Sequence, residues 1–239
     1  MRRKGFCLHG ILFDLFGTLI TVESDDNAHK ALSKKLAEIH DNKFPWEEHF
    51  RLYNDLVHGK EGRLTSSQGT WKALTMLAEK YGFKVKVSYD DVNRLHLEYH
   101  IRFAEPYEDA INAIVYAKKL CGKVGVITDA DKEMAYGILK HIGVLDYLDV
   151  VVTSEEYGVN KPDPRLFLIA AEKMGIEPSK CVVIGDSWKD VEGAKRAGMK
   201  AILVKRRDTV LTVEPDYVAK DLSEAVEKAI ELLRCSTTT

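Results

Sequence analysis

Four stretches of the chain set polar, chemistry-bearing side chains immediately after apolar runs. Leu8, Ile11, Leu12 and Phe13 lead into Asp14 and then Gly17-Thr18. Val124–Ile127 leads into Thr128-Asp129. Val150–Val152 leads into Thr153-Ser154 and on to Lys161-Pro162-Asp163-Pro164. Val182–Ile184 leads into Gly185-Asp186-Ser187, with Asp190 four residues after Asp186. Short β-branched and aromatic runs of this kind read as buried strands. An acidic residue at the end of a buried strand is costly unless something pairs or uses it. In open α/β sheets the carboxyl ends of the strands are where ligands bind. One such Asp is usually a turn or a cap; four polar positions at successive strand ends are not explained that way.

The residue types narrow the chemistry. Asp14 and Asp186, with Asp190 behind them, repel one another unless some are protonated or a cation sits among them. The single Lys161 does not balance three carboxylates. A hard, oxygen-liganded ion such as Mg²⁺ does, and Mg²⁺ commonly pairs a few carboxylates with a substrate phosphate. Thr128 offers a donor and Lys161 a positive charge, which suits a phosphoryl group or a carboxylate; Asp129 stands next to Thr128 in this substrate-facing set. A carboxylate not wholly occupied as a ligand can attack phosphorus as a covalent nucleophile.

The elements that must hold these residues follow from periodicity. After the first strand, residues 22–104 read as helices without strands. Ala28, Leu32, Leu36 and Ile39 recur at helical spacing. Pro45 at a first helical position precedes Trp46, Phe50, Tyr53 and Leu56/Val57. Ser66 or Ser67 can cap a helix carrying Trp71, Leu74, Leu77 and Ala78 that stops near Gly82, and a fourth helix starts near Tyr89. Gly59-Lys60-Glu61-Gly62 reads as a mobile loop, and Glu105-Pro106-Tyr107 as a linker. From there helix and strand alternate: helices Glu108–Leu120, Lys132–Ile142, Pro164–Met174 and Lys189–Ala197 feed strands Lys123–Thr128, Asp149–Thr153, Cys181–Asp186 and Ala201–Val204. A short strand at Tyr217–Ala219, an amphipathic helix from Leu222 and a fraying tail, Ser236–Thr239, complete the chain. This rhythm predicts an α/β fold, a doubly wound parallel (Rossmann-like) sheet. The core is residues 1–21 plus 105–239, and residues 22–104 form an inserted helical domain.

The 239 residues can bury one large core plus an accessory domain. A net charge of −2 gives no reason to expect nucleic acid or an anionic membrane as partner. No apolar run approaches the roughly 20 residues that cross a bilayer, and the N-terminus lacks a signal-peptide pattern, so the expected location is cytoplasmic. Cys7, Cys121, Cys181 and Cys235 are scattered without metal-ligand spacing and read as reduced thiols. One Gln (Gln68) against abundant Lys and Glu is a thermophile-like bias.

The set Asp14-Leu15-Phe16-Gly17-Thr18, Val126-Ile127-Thr128-Asp129, Lys161-Pro162-Asp163-Pro164 and Gly185-Asp186-Ser187-Trp188-Lys189-Asp190 resembles the four motifs of the haloacid dehalogenase superfamily, in their order and spacing. Residues 22–104 resemble that family's helical cap inserted after the first motif. The resemblance implies Asp14 as nucleophile, Thr128 as phosphoryl binder and Lys161 as charge neutraliser. It also implies Mg²⁺ held by Asp14, the main-chain carbonyl of Phe16 and Asp186, with Asp190 helping. Phosphatases of the family usually carry a second Asp two residues after the nucleophile as general acid and base; here Phe16 stands there. That help is typically worth about 10²–10⁴ in rate.

Three readings follow. A Mg²⁺-dependent hydrolase of small phosphorylated metabolites, acting through an aspartyl-phosphate on Asp14, is the principal one, with Glu23, Asp25, Asp26 or His29 replacing the missing acid. A metal-independent 2-haloacid dehalogenase, whose halide leaves without a proton, is the alternative that Phe16 favours. A weakly catalytic phosphate-binding module is the third. A phosphonate hydrolase would need a Schiff-base lysine, with Lys30, Lys34, Lys35 and Lys60 available. The cap is expected to close over the strand ends, with Trp46, Tyr53, Trp71 and Trp188 lining the space.

Overall fold

A computed structural model describes residues 9–58 and 64–235. Strand β1 (His9–Phe13) is followed by four helices: α1 (Val22–Ile39), α2 (Trp46–His58), α3 (Ser66–Tyr81) and α4 (Tyr89–Arg102). Helix and strand then alternate through α5 (Ala110–Cys121), β2 (Gly122–Thr128), α6 (Lys132–His141), β3 (Val150–Thr153), α7 (Ser154–Tyr157) and α8 (Pro164–Met174). The remaining elements are β4 (Cys181–Gly185), α9 (Trp188–Arg196), β5 (Lys200–Val204), β6 (Tyr217–Ala219) and α10 (Leu222–Cys235). The chain divides into two compact units, Met1–Val22 with Glu105–Thr239, and Glu23–Ala104.

The first unit is the expected α/β fold. Its six strands run in the order β3-β2-β1-β4-β5-β6, and every neighbouring pair is parallel. Strand β1 is central: the chain winds outward from it through β2 to β3, then crosses to β4 on its other side. The end of β1 is therefore a switch point, where a crevice opens between connections that leave in opposite directions. Alternation along the strands sends Leu12, Ile127, Val183 and Leu203 into one apolar cluster with Leu166, Phe167, Ala170 and Ala171 of α8 and Val191 and Ala194 of α9. Cys181 lies in that cluster, where burial pushes its thiol up to about 12, as befits an inert core thiol. The insertion leaves and rejoins this unit side by side: Thr21 N–H donates to the Glu105 carbonyl (3.0 Å) and Ile20 bridges Pro106.

The second unit is the inserted helical region. Leu32, Leu36, Ala37, Phe44, Leu74, Leu77 and Val92 form its apolar core. Trp46 and Trp71 pack against that core, and Tyr53 is fully enclosed. These three expected pocket aromatics are thus framework of their own unit, because aromatics at helical spacing fall on the buried stripe. Trp188, the fourth, is exposed at the start of α9.

Several predicted boundaries move for local reasons. The N-cap of α3 is Thr65 rather than Ser66 or Ser67, since Gln68 stands three residues on and closes a reciprocal capping box with it. Pro45 lies one residue before α2, where its carbonyl accepts from Glu48 N–H. Helix α5 begins at Ala110, not Glu108: its first helical bond runs from Ala113 N–H to the Asp109 carbonyl (2.9 Å), while the Asp109 carboxylate is held by Arg206 (2.7 Å) and Leu222 N–H (2.7 Å). The short α7 lies in a stretch read as loop. Cys7, the Gly59–Gly62 segment with Lys60, the tail Ser236–Thr239 and the side chains of Cys121 and Cys235 lie outside the described residues. No described helix is long and apolar enough to cross a membrane.

Candidate active site

Asp14 is the first residue past β1, and its N–H still donates to Ile184 of β4 (2.9 Å), which fixes the backbone while freeing the side chain. The chain then turns: Gly17 N–H donates to the Ile20 carbonyl (2.8 Å) and Ile20 N–H to the Leu15 carbonyl (2.9 Å). These bonds use the flanking peptides, not the Phe16 carbonyl. Gly17 has φ 85°, and a Cβ there would lie 2.5 Å from Asp186 Oδ2. Only glycine accommodates both the left-handed backbone and a carboxylate seated on the turn. At Gly185 the reason is close approach alone: the Asp190 carboxyl carbon would lie 2.4 Å from an added Cβ.

Lys161 ties the motifs together. Its N–H donates to Asp129 Oδ1 (2.9 Å), and its Nζ donates to Asp14 Oδ1 (2.5 Å) and Asp190 Oδ1 (2.7 Å). Asp129, expected to face substrate, thus holds the Lys161 backbone, with Lys189 Nζ 3.8 Å from its other oxygen. Asp190 spends both oxygens: Oδ2 accepts from the Ser187 hydroxyl (2.5 Å) and N–H (3.2 Å), closing the capping box of α9. Thr128 is buried, and its oxygen accepts from Ala130 N–H (3.1 Å), which leaves the hydroxyl proton to donate elsewhere. Two further residues escaped sequence reasoning. Arg207 Nε lies 2.9 Å from Asp186 Oδ2, and the Thr209 hydroxyl donates to the Asp186 carbonyl (3.1 Å).

Charge is concentrated here out of water. Burial pushes the Asp14 carboxyl up to about 7; Lys161 opposes this, and Asp190 and Asp186 add to it. Burial likewise raises Asp186, against Arg207. Burial works against the Lys161 ammonium, but Asp14 and Asp190 outweigh it and hold the proton firmly. Asp14 Oδ2 and Asp186 Oδ2 are buried without a hydrogen-bond partner, the Arg207 approach to the latter being out of line. Asp14, Asp186 and Asp190 each offer an oxygen within 4.8 Å of the other two, a grouping able to hold a metal ion. Two orphaned carboxylate oxygens in such a grouping fit a hard, oxygen-liganded cation.

The ion pair makes a stability prediction. Lys161→Met leaves Asp14 and Asp190 buried without their cation, and breaking a buried pair from one side costs roughly 3–5 kcal/mol. Denaturant unfolding of metal-free protein at slightly alkaline pH should show that loss; a loss under about 1 kcal/mol would mean Lys161 is not what holds the carboxylates.

Residues 8–198 match the family model of haloacid dehalogenase-like hydrolases. The chain belongs to that family. This haloacid dehalogenase-like hydrolase is 31% identical over 219 residues to the phosphoglycolate phosphatase of Aquifex aeolicus, covering 91% of this chain and 94% of that one. Its fold matches the crystal structure of a phosphatase of the family from Thermococcus onnurineus at a TM-score of 0.69 and 26% identity, covering 92% and 97% of the two chains. The fold alone is shared with the 2-haloacid dehalogenase of Pseudomonas syringae (TM-score 0.67, 23% identity, 96% and 100% covered).

Most of the described residues considered for supporting roles in the helical unit have partners within that unit. Lys30 pairs with Asp26 (2.9 Å), Lys34 lies over the Trp46 ring (4.6 Å) and Lys35 reaches Glu38 (3.5 Å), so none of the three is a buried amine of the Schiff-base kind. Asp25 is turned to His100 and His29, which is buried, while Glu23 is exposed.

Proposed function

We propose that this hydrolase is a Mg²⁺-dependent phosphatase of small phosphate monoesters, acting through an aspartyl-phosphate on Asp14. The observation that carries the reading is the pair of orphaned oxygens, Asp14 Oδ2 and Asp186 Oδ2, beside a fully charged Lys161. The likeness to a phosphoglycolate phosphatase supports the substrate class. Asp14 and Asp186 would hold the ion with the Phe16 carbonyl; Asp190 contributes by fixing Lys161. Bound there, Mg²⁺ supplies positive charge that offsets the repulsion between carboxylates and a phosphate dianion. Lys161 and the Thr128 hydroxyl bind the phosphoryl oxygens. An Asp14 oxygen bonds to phosphorus as the ester P–O bond breaks, the leaving alkoxide taking its proton from water. A second water then attacks phosphorus, releasing phosphate and regenerating Asp14. The sheet unit is assigned this chemistry, and the helical unit the role of cap.

Metal and protons compete at Asp14. In the metal-free chain folded Asp14 keeps a proton that the unfolded chain releases near pH 4. Between about pH 4 and about pH 7 the folded state therefore binds more protons, and stability falls as pH rises through that window. Mg²⁺ held by Asp14 would compete with that proton, so the stabilisation it confers should grow with pH over the same window. Thermal unfolding with and without Mg²⁺ at about pH 5.5 and about pH 8 should show the larger Mg²⁺ increment at the higher pH. Asp14→Asn should flatten the difference, and an increment that shrinks with pH would contradict this account.

A second reading, displacement of halide from a 2-haloacid by Asp14 without metal, is favoured by Phe16 alone. Assay of both substrate classes with and without chelator separates the two.

A further inference from the structure

The helical unit contains a second cluster of ligand-type side chains that the phosphatase reading does not use. Helix α1 carries Asp25 and His29, and α4 carries His96 and His100, each pair four residues apart and so on one helix face. His29, His96 and His100 are all buried, and one ring nitrogen of each lies within 4.8 Å of the other two. Their ring centroids are 4.2–5.2 Å apart, and the Tyr53 ring stacks on His29 at 3.9 Å.

The hydrogen bonds leave this cluster short of protons. His100 Nδ1 lies 2.8 Å from the His96 carbonyl, which only accepts, so Nδ1 carries the proton. Its Nε2 lies 3.0 Å from Asp25 Oδ1, so a neutral His100 would set a lone pair against the carboxylate, and only an imidazolium would donate to both partners. His29 Nε2, 3.7 Å from that same oxygen, is also met by the Tyr53 hydroxyl at 2.6 Å. His96 Nε2 is buried with no hydrogen-bond partner. One imidazolium could be balanced by Asp25, but a second would crowd like charge among three buried rings. One divalent cation satisfies the lone pairs together, with Asp25 supplying negative charge.

We propose that His29, His96, His100 and Asp25 form a transition-metal site, of Zn²⁺ type, inside the helical unit. Three imidazoles and a carboxylate are the donor set of a borderline ion and not of Mg²⁺, which takes oxygen. Four protein ligands fill a tetrahedron, so the site is structural and pins α1 to α4. The His100 Nδ1–H bond to a carbonyl is the orientation that a ligating imidazole needs from its other nitrogen. Zn²⁺ with ligands at about 2.0–2.1 Å sets donor atoms roughly 3.3 Å apart, so loading draws the nitrogens together by no more than about 1.5 Å. The Tyr53 hydroxyl, 2.6 Å from His29 Nε2, has Ser66 Oγ at 3.4 Å as an alternative acceptor.

The test uses the full chain with saturating Mg²⁺, which occupies oxygen sites. Zn²⁺ is titrated by calorimetry against a competing chelator, and Co²⁺ by visible spectroscopy. The expected result is about one equivalent of Zn²⁺, a raised Tm, and the intense absorption of tetrahedral Co²⁺. His96→Gln and His100→Gln should each weaken binding by about 100-fold or more. Because His96 Nε2 has no partner to lose, metal-free His96→Gln should melt close to wild type and remain a fair test. Asp186→Asn should leave the equivalent in place. The proposal is overturned if the wild type binds no Zn²⁺ under excess Mg²⁺, if both His variants bind as the wild type does, or if Asp186→Asn removes the equivalent.

Discussion

Asp14→Asn is expected to lower Mg²⁺-dependent phosphate release by roughly 10⁴-fold or more, the scale on which loss of a nucleophile acts. An amide oxygen is neutral and cannot carry the phosphoryl group. The same substitution keeps the shape of the side chain and an acceptor for Lys161 Nζ, now 2.5 Å from Asp14 Oδ1. It also removes a carboxyl that burial makes reluctant to ionise. At a pH below about 7, where that carboxyl keeps its proton, the metal-free variant should therefore melt close to wild type, which separates lost chemistry from lost folding. Activity within about tenfold of wild type would exclude Asp14 as the nucleophile.

Phe16→Asp is expected to act in the opposite direction. The residue lies in the turn after β1, two positions beyond the nucleophile, with its side chain half-buried. A carboxyl there can give a proton to the leaving oxygen and take one from the attacking water. General acid–base help is worth about 10²–10⁴ in rate, and it matters most where the leaving group is a poor one. The variant should hydrolyse alkyl phosphates about 10–10³ times faster than the wild type, with a smaller gain on aryl phosphates whose leaving group needs no proton. Steady-state kinetics on the two ester classes provides the comparison. An equal or absent gain would mean that the wild type already has its acid elsewhere.

The sheet and most of the sheet-end site were legible because both depend on local pattern plus one general rule. Apolar runs ending in Asp14, Thr128 and Asp186 needed only a parallel sheet to bring them to one edge, and the β1–β2 and β1–β4 registers do so. What stayed hidden depends on where loops and helices return. Arg207 reaches Asp186 from the loop after β5, a contact that leaves no periodic trace. Asp129 follows Thr128 in sequence, yet its carboxylate looks back to the Lys161 peptide. His96 and His100 did carry a readable signal in their spacing, as did Asp25 and His29. Their meeting depends on the register of α1 against α4, which neither helix encodes alone. The α3 cap falls on Thr65 and not on the serines after it because only Thr65 has a capping-box partner, Gln68, the chain's single glutamine, three residues on.

The most direct measurement is release of phosphate from a panel of small phosphate monoesters, run beside release of halide from 2-haloacids, each with Mg²⁺ and with chelator. The account predicts phosphate release that requires Mg²⁺ and disappears in Asp14→Asn, with no halide release. Halide release that survives chelation would contradict it and make Phe16 the residue that defines the chemistry. Silence on both panels would contradict it as well, in favour of a chain that binds phosphate without turning it over.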